Sequence, residues 1–263
     1  MKKILQNLKE NWITYGFETL VVIVGILGAF ALSNWNEKRQ TTALEIEYLI
    51  RLHTDLANDT SYYRRRIAYA ESVFEAHKEA IRLSFTQIES AEQMTETFAK
   101  LEMSSEALSV RDITFQEIVN AGNISILQNE ELKVKLQEFY RQIAIAIKHF
   151  EEINSTSIMY LVEFDKKSRA GKYWSRNRAT GPWTPAMLDT MDDWEWINDP
   201  QSENFQLFQV LIGFYTTKQE IFRDYCIDLN IKTTQLLTII EQDLKSRSIT
   251  IPEPKIEEVF VKE

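Results

Sequence analysis

The sequence predicts an all-α protein, with an N-terminal single transmembrane helix continuing into an elongated antiparallel bundle of three long helices with short capping helices. Three observations lead there. Glycine and proline are sparse, seven and five in 263 residues, and long stretches hold neither, which favours long helices. Apolar residues recur at three- and four-residue steps in three separate stretches. One run near the N-terminus, Ile13 to Ser33, is apolar throughout except for Glu18.

That run sets the first element. A bilayer core needs roughly 20 apolar helical residues, and ITYGFETLVVIVGILGAFALS supplies them. Trp12, Tyr15 and Trp35 suit the two interfaces. A cleaved signal peptide is the rival reading, with Ala29-Phe30-Ala31 as its cleavage site. The apolar run exceeds a normal signal core, and an uncleaved anchor is the reading adopted. The chain then divides into a short cytoplasmic tail (1–12), a transmembrane helix (13–33), an extracytoplasmic helical bundle (34–247) and a disordered or extended acidic tail (248–263). The expected place is a bacterial inner membrane, with the bundle in the periplasm. One cysteine, Cys226, forms no internal disulfide and leaves the compartment open.

The first long helix leaves the span without Pro or Gly and carries Leu49, Leu52, Leu56, Tyr63, Ile67, Ala70, Phe74 and Ile81. Asp59-Thr60-Ser61 interrupts that stripe and is a candidate kink. From 90 to 110 the pattern weakens into a short helix and loop. Asp112 to Asn120 makes another short helix, ended by Gly122. A second long helix begins at Asn129, an N-cap with Glu130 and Glu131 behind it, and runs through Leu132, Leu136, Tyr140, Ile143 and Phe150 to about Arg169. After an aromatic loop, Asp199-Pro200 or Ser202 opens the third, with Phe208, Leu211, Tyr215, Phe222, Leu229 and Leu236 on its stripe and Lys218 and Lys232 at polar positions of the same period. Three such helices bury their stripes on one another. If they alternate up, down and up, the short helices cap the far end and the loop 170–201 lies at the bilayer surface.

The basic half of that loop, Lys166, Lys167, Arg169, Lys172, Tyr173, Trp174, Arg176 and Arg178, is then a candidate membrane-surface or partner contact. The competing reading pairs it with the acidic half, Asp189 to Asp199. In the span, Gly25, Gly28, Ala29 and Ser33 form a small-residue face on which a second helix packs closely. Glu18 is a transmembrane carboxylate candidate. It could carry protons, by analogy with proton-motive stator subunits, ring a small ion-conducting pore in an oligomer, pair with a lysine, or sit at headgroup depth.

Two stretches carry a family resemblance. They are YGFETLVVIVGILGAFALSNWNEKR, Tyr15 to Arg39, and TFQEIVNAGNISILQNEELKVKLQEFY, Thr114 to Tyr140. Together the chain resembles a family of one-span bacterial membrane proteins, found chiefly in Bacteroidota and known as domain of unknown function 6090. Gly28 and Ala29 stand where that family usually has longer aliphatic residues. The resemblance implies a bacterial envelope location and brings no activity, cofactor or catalytic residue.

Chemistry is hard to find. No Gly-rich phosphate loop, G-x-S-x-G or H-E-x-x-H is present. His53 with Asp55 and Asp59 is the best metal-like group, but His53 and Asp55 are two apart and diverge on a helix. His77 falls on the apolar stripe and reads as a satisfied core histidine, and Cys226 as core. Arg64-Arg65-Arg66 faces several sides of its helix. With a net charge of −9, the chain gives no case for nucleic acid. No enzyme and no cofactor is expected. The partners expected are the lipid bilayer and either a second copy or another membrane protein. The function expected is an envelope interaction or scaffold protein, with a ligand-sensing module working through a partner as the alternative.

Overall fold

The computed structural model describes residues 12–86, 93, 97, 101–103, 105–168, 196 and 199–256. Among the described residues the regular structure is helical, with no strand. Among the described residues four α-helices have defined bounds: α1 (Trp12–Ser84), α2 (Ile113–Asn120), α3 (Glu130–Ser168) and α4 (Glu203–Ser246), with a 3-10 turn at Asn123–Ile126.

α1 is one helix of 73 residues. No glycine or proline occurs between Gly28 and Gly122, so nothing in the backbone stops it. Its first part, Gly16 to Ser33, is exposed throughout. Its second part buries Leu49, Leu52, Leu56, Tyr63 and Ala70 in the core, and each fully buried leucine contributes roughly 2 kcal/mol. The helix runs unbroken through the candidate kink at Asp59-Thr60-Ser61. Each polar side chain there finds a partner without opening the helix. Asp59 accepts from Arg111, Thr60 Oγ1 donates to the Leu56 carbonyl at 2.9 Å, and Ser61 accepts from Arg65.

The directions of the long helices follow from their cross-contacts. Near Glu45 lie the start of α3 (Gln128) and the end of α4 (Arg247). At the other end of α1, the Ser84 carbonyl accepts from Gln209 near the start of α4, and Lys167 at the end of α3 pairs with Glu203. So α1 and α3 run in parallel, and α4 runs against both. The end next to the apolar segment is the base of the bundle; the end at Ser84 is the tip.

This corrects the expected up–down–up order. The chain comes down from the tip as a strap without helix or strand, described at residues 101–103 and 105–112 and bonded to both α1 and α3. Its ends, Glu102 and Arg111, are held by His77 and Asp59, 18 helical residues or about 27 Å apart on α1. The short helix α2 and the 3-10 turn consequently sit at the base, where Arg51 pairs with Glu117 and Asn123 donates to the Tyr48 hydroxyl at 2.9 Å. They do not cap the far end.

Local chemistry sets the helix ends. Asn129 Oδ1 accepts from the Leu132 amide at 3.0 Å, and Ser202 Oγ from the Phe205 amide at 3.2 Å. Gly122 has φ +70, the left-handed turn that leads out of α2. α4 ends in a Schellman turn. The Ile249 amide donates to the Leu244 carbonyl and the Ser248 amide to the Lys245 carbonyl, both at 3.0 Å, with Ser248 at φ 60. Ile249 and Ile251 then pack on the core, and the extended chain turns back along α1 until Asn58 donates to the Lys255 carbonyl at 3.1 Å. Serine is strained at this position while glycine is not. Ser248→Gly is therefore expected to stabilise the fold by about 1 kcal/mol and Ser248→Val to destabilise it by a similar amount, as read by the thermal midpoint of the full-length protein in mild detergent.

Candidate functional site

The polar chemistry of the bundle gathers under the strap and at the base. Side chains of α1 and α3 hold the strap in large part by bonding its main chain. From α1, the Tyr62 hydroxyl donates to the Ala107 carbonyl (2.9 Å) and the Tyr63 hydroxyl to the Ser109 carbonyl (3.2 Å). From α3, Tyr140 donates to the Arg111 carbonyl (3.3 Å) and Asn154 to the Glu106 carbonyl (2.5 Å). An extended segment between helices leaves its N–H and C=O groups unpaired by secondary structure, and these side chains satisfy them.

At mid-strap the Glu106 carboxylate enters the bundle, its side chain 5 % exposed, and meets Arg66 Nη2 at 2.7 Å. Gln219 Nε2 donates to its other oxygen at 3.0 Å. The Arg66 guanidinium lies between two rings, 4.7 Å from the Phe222 centroid and 4.9 Å from that of Tyr69. Next to this layer, Lys218 is 1 % exposed, its amine 4.8 Å from the Tyr215 ring centre. Burial pushes its amine below the ordinary lysine range, against the pull of Glu106 and Glu102.

The two strap ends rest on ionisable groups. At the upper end His77, wholly buried, accepts the Glu102 amide at Nε2 (2.9 Å) and meets Thr216 Oγ1 from Nδ1 at 3.3 Å. Thr216 donates its own proton to the Ile212 carbonyl, which leaves it accepting and fixes the proton of a neutral imidazole on Nδ1. Burial lowers His77 to about 4, with Glu102 opposing and Lys218 adding to the shift. At the lower end Asp59 takes the Arg111 amide on both oxygens, at 3.1 and 3.2 Å, and Arg111 Nη1 at 3.4 Å. Burial raises Asp59 to about 7, and the Arg111 contacts offset only part of this.

The base is closed by Glu45, 1 % exposed. One of its oxygens accepts the Gln128 amide at 2.7 Å, and Arg247 grips both, at 2.6 and 3.1 Å. One carboxylate thus joins α1, the entry to α3 and the end of α4.

Few of the residues singled out from the sequence meet here. Glu18 is exposed on the apolar segment. Gly25, Gly28, Ala29 and Ser33 are exposed as well, and a Cβ added at Gly25 or Gly28 would touch nothing within 4 Å. Eighteen residues make about five turns, so Gly25 and Ala29 share a face with Ala43 and Glu47. Both of these are exposed, on the side of α1 away from the bundle. Lys166 and Lys167 end α3 at the tip, about 75 Å along α1 from Ser33, so the loop they lead into leaves the bundle at the end farthest from the apolar segment. α3 runs up and not down, so Lys166 and Lys167 do not stand at the base of the bundle where the expected order put them. Arg169, Lys172, Tyr173, Trp174, Arg176 and Arg178 lie outside the described residues.

His53 turns to Glu241 on α4 (3.1 Å) and away from Asp55 and Asp59. No cluster of three or more metal-ligating side chains exists among the described residues. Cys226 is buried, its thiol pushed up to about 12 by burial. Of the arginine triplet, Arg64 is exposed, Arg65 bonds Ser61 and Arg66 enters the core. Glu45, Glu106, Arg247 and the strap went unread. A signal existed for Glu45, which stands four residues before Leu49 on the core period, and for Lys218 on the stripe of α4.

Among the described residues, one shallow cavity of about 170 Å³ lies between α3 and α4 at Phe139 and Lys232, and another of about 270 Å³ lies where Asn34, Lys38 and Thr41 face Gln128. Neither adjoins the buried layer. No curated protein and no solved structure matches the chain. The match to a known family covers residues 18–168, the helix from Glu18 onward, the strap, α2 and all of α3. By that match, over more than half its length, the chain belongs to the family of unknown function DUF6090.

Proposed function

We propose that this protein is a single-pass, membrane-anchored helical scaffold of the bacterial envelope, non-enzymatic, with a short N-terminus in the cytoplasm and the bundle in the periplasm. One observation carries the reading: α1 joins an exposed apolar segment to the core stripe of the bundle without a break. A partner held at the tip is then set at a fixed height of about 75 Å above the membrane exit. The polar groups of the interior hold the strap and the base together, which suits a rigid spacer better than a catalyst. Gly25 and Ala29 of the span fall on the side of α1 that is exposed at Ala43 and Glu47, which supports a neighbouring helix packing there without meeting the bundle.

Crosslinking with mass spectrometry in intact cells tests this. The expected result is reproducible crosslinks from the tip or the span to a second copy or to one other membrane protein. A protein crosslinked to no specific neighbour, with a small-molecule ligand that raises the thermal midpoint of the purified chain, would replace scaffolding with sensing.

A further inference from the structure

We propose that the cleft at the base of the bundle, where Glu37 and Lys38 face Gln128, holds the headgroup of a phosphatidylethanolamine molecule from the surrounding bilayer. The inference rests on reading Ile13 to Ser33 as a membrane span.

Height is the first argument. The cleft, about 270 Å³, is lined by Asn34, Glu37, Lys38, Thr41 and Thr42 of α1 and by Gln128 at the entry to α3. Asn34 directly follows the apolar segment. Glu37 and Lys38 stand about 6 and 7.5 Å beyond Ser33 along the helix axis. The headgroup layer adds roughly 5 to 8 Å to each side of the hydrocarbon, so both charges lie at the depth of lipid phosphates and amines. Trp35, 60 % exposed, suits the same depth. Gln128 stands at the upper end of the cleft, fixed by the 2.7 Å bond from its amide to the buried Glu45 carboxylate.

Charge is the second. Neighbouring side chains on a helix diverge, and among the described residues neither Glu37 nor Lys38 forms an ion pair. Thr41 Oγ1 donates to the Glu37 carbonyl at 2.9 Å and keeps its oxygen free to accept. The cleft thus offers one ammonium and one carboxylate, with the amides of Asn34 and Gln128 as further donors. A headgroup with one phosphate and one ammonium complements both: the phosphate meets Lys38, and the ammonium meets Glu37. A phosphatidylglycerol headgroup brings only negative charge and is repelled by Glu37. A site for anionic lipid gathers several cations. Here the next one, Arg39, lies over the Trp35 ring at 5.8 Å and does not line the cleft.

The test reconstitutes the full-length chain into nanodiscs of equimolar dioleoyl phosphatidylethanolamine and dioleoyl phosphatidylglycerol, releases it in detergent, and reads the retained lipids by native mass spectrometry. Phosphatidylethanolamine should be retained about fivefold over phosphatidylglycerol. Glu37→Lys should reverse that preference. Lys38→Gln should lower the total of retained lipid about fivefold. Arg39→Gln removes the same charge one residue further on and should change neither reading. All three side chains are exposed, so the variants keep the fold. Equal retention of the two lipids by the wild type overturns the proposal. So does a preference untouched by Glu37→Lys, or an Arg39→Gln loss equal to that of Lys38→Gln. A chain that never enters the discs overturns the span reading as well, whereas one that enters without preference overturns the headgroup site alone.

Discussion

Replacing Glu45 with alanine should destabilise the full-length protein by about 3 kcal/mol, because removing one partner of a buried ion pair leaves the other charge without compensation. Glu45 ranks first because its carboxylate serves three segments at once. Without it the Gln128 amide at the entry to α3 loses its acceptor, and Arg247 keeps only Asp243, at 2.9 Å. Arg247 is partly open to water, which tempers the loss. Chemical denaturation followed by circular dichroism in mild detergent measures it. Glu45→Gln, which keeps one acceptor but no charge, should fall between wild type and alanine. A loss below about 0.5 kcal/mol for Glu45→Ala, the range of surface substitutions, would mean that the clasp contributes nothing.

Arg66→Met should cost about 3 to 5 kcal/mol for the same reason at mid-bundle. Methionine fills the space between the Tyr69 and Phe222 rings, so the packing loss is small, and the cost arises from Glu106, whose side chain is 5 % exposed. A second change identifies that source. Glu106→Gln in the Arg66→Met background should recover much of the loss, since the neutral amide still meets Gln219 without a buried charge. A double variant no more stable than the single one would assign the loss to the rings of Tyr69 and Phe222 and not to the stranded carboxylate.

The three long helices were legible because burial imposes a period on sequence. Leu49, Leu52 and Leu56, then Leu132 and Leu136, then Phe222, Leu229 and Leu236 all lie in the core where their spacing puts them. Asn129 and Ser202 marked where two of them start, and Gly122 where the short α2 ends, for reasons of local hydrogen bonding and backbone conformation. His77 read as a satisfied core histidine, and it is one. The direction of α3 was not legible, since an amphipathic stripe reads the same whether its helix runs up or down. Direction here depends on the strap, and the strap has no period. Leu101 and Leu108 are its buried apolar residues, and much of its docking is side chain to main chain, from tyrosines, an asparagine, His77 and Asp59 scattered over α1 and α3. Putting the loop after Lys167 at the bilayer was a consequence of that missing direction. Glu45 and Arg247 are 202 residues apart, a pairing that no local pattern announces.

One helix carrying both a membrane anchor and the bundle core is the claim on which the scaffold reading stands. The direct measurement is fractionation of cells producing the full-length chain, with its N-terminal residues verified by mass spectrometry and the membranes washed at high pH. The intact chain should stay wholly in the membrane pellet and leave it only with detergent, whereas a variant lacking residues 13–33 should leave in the wash. Intact full-length chain in the supernatant of the detergent-free wash would contradict it.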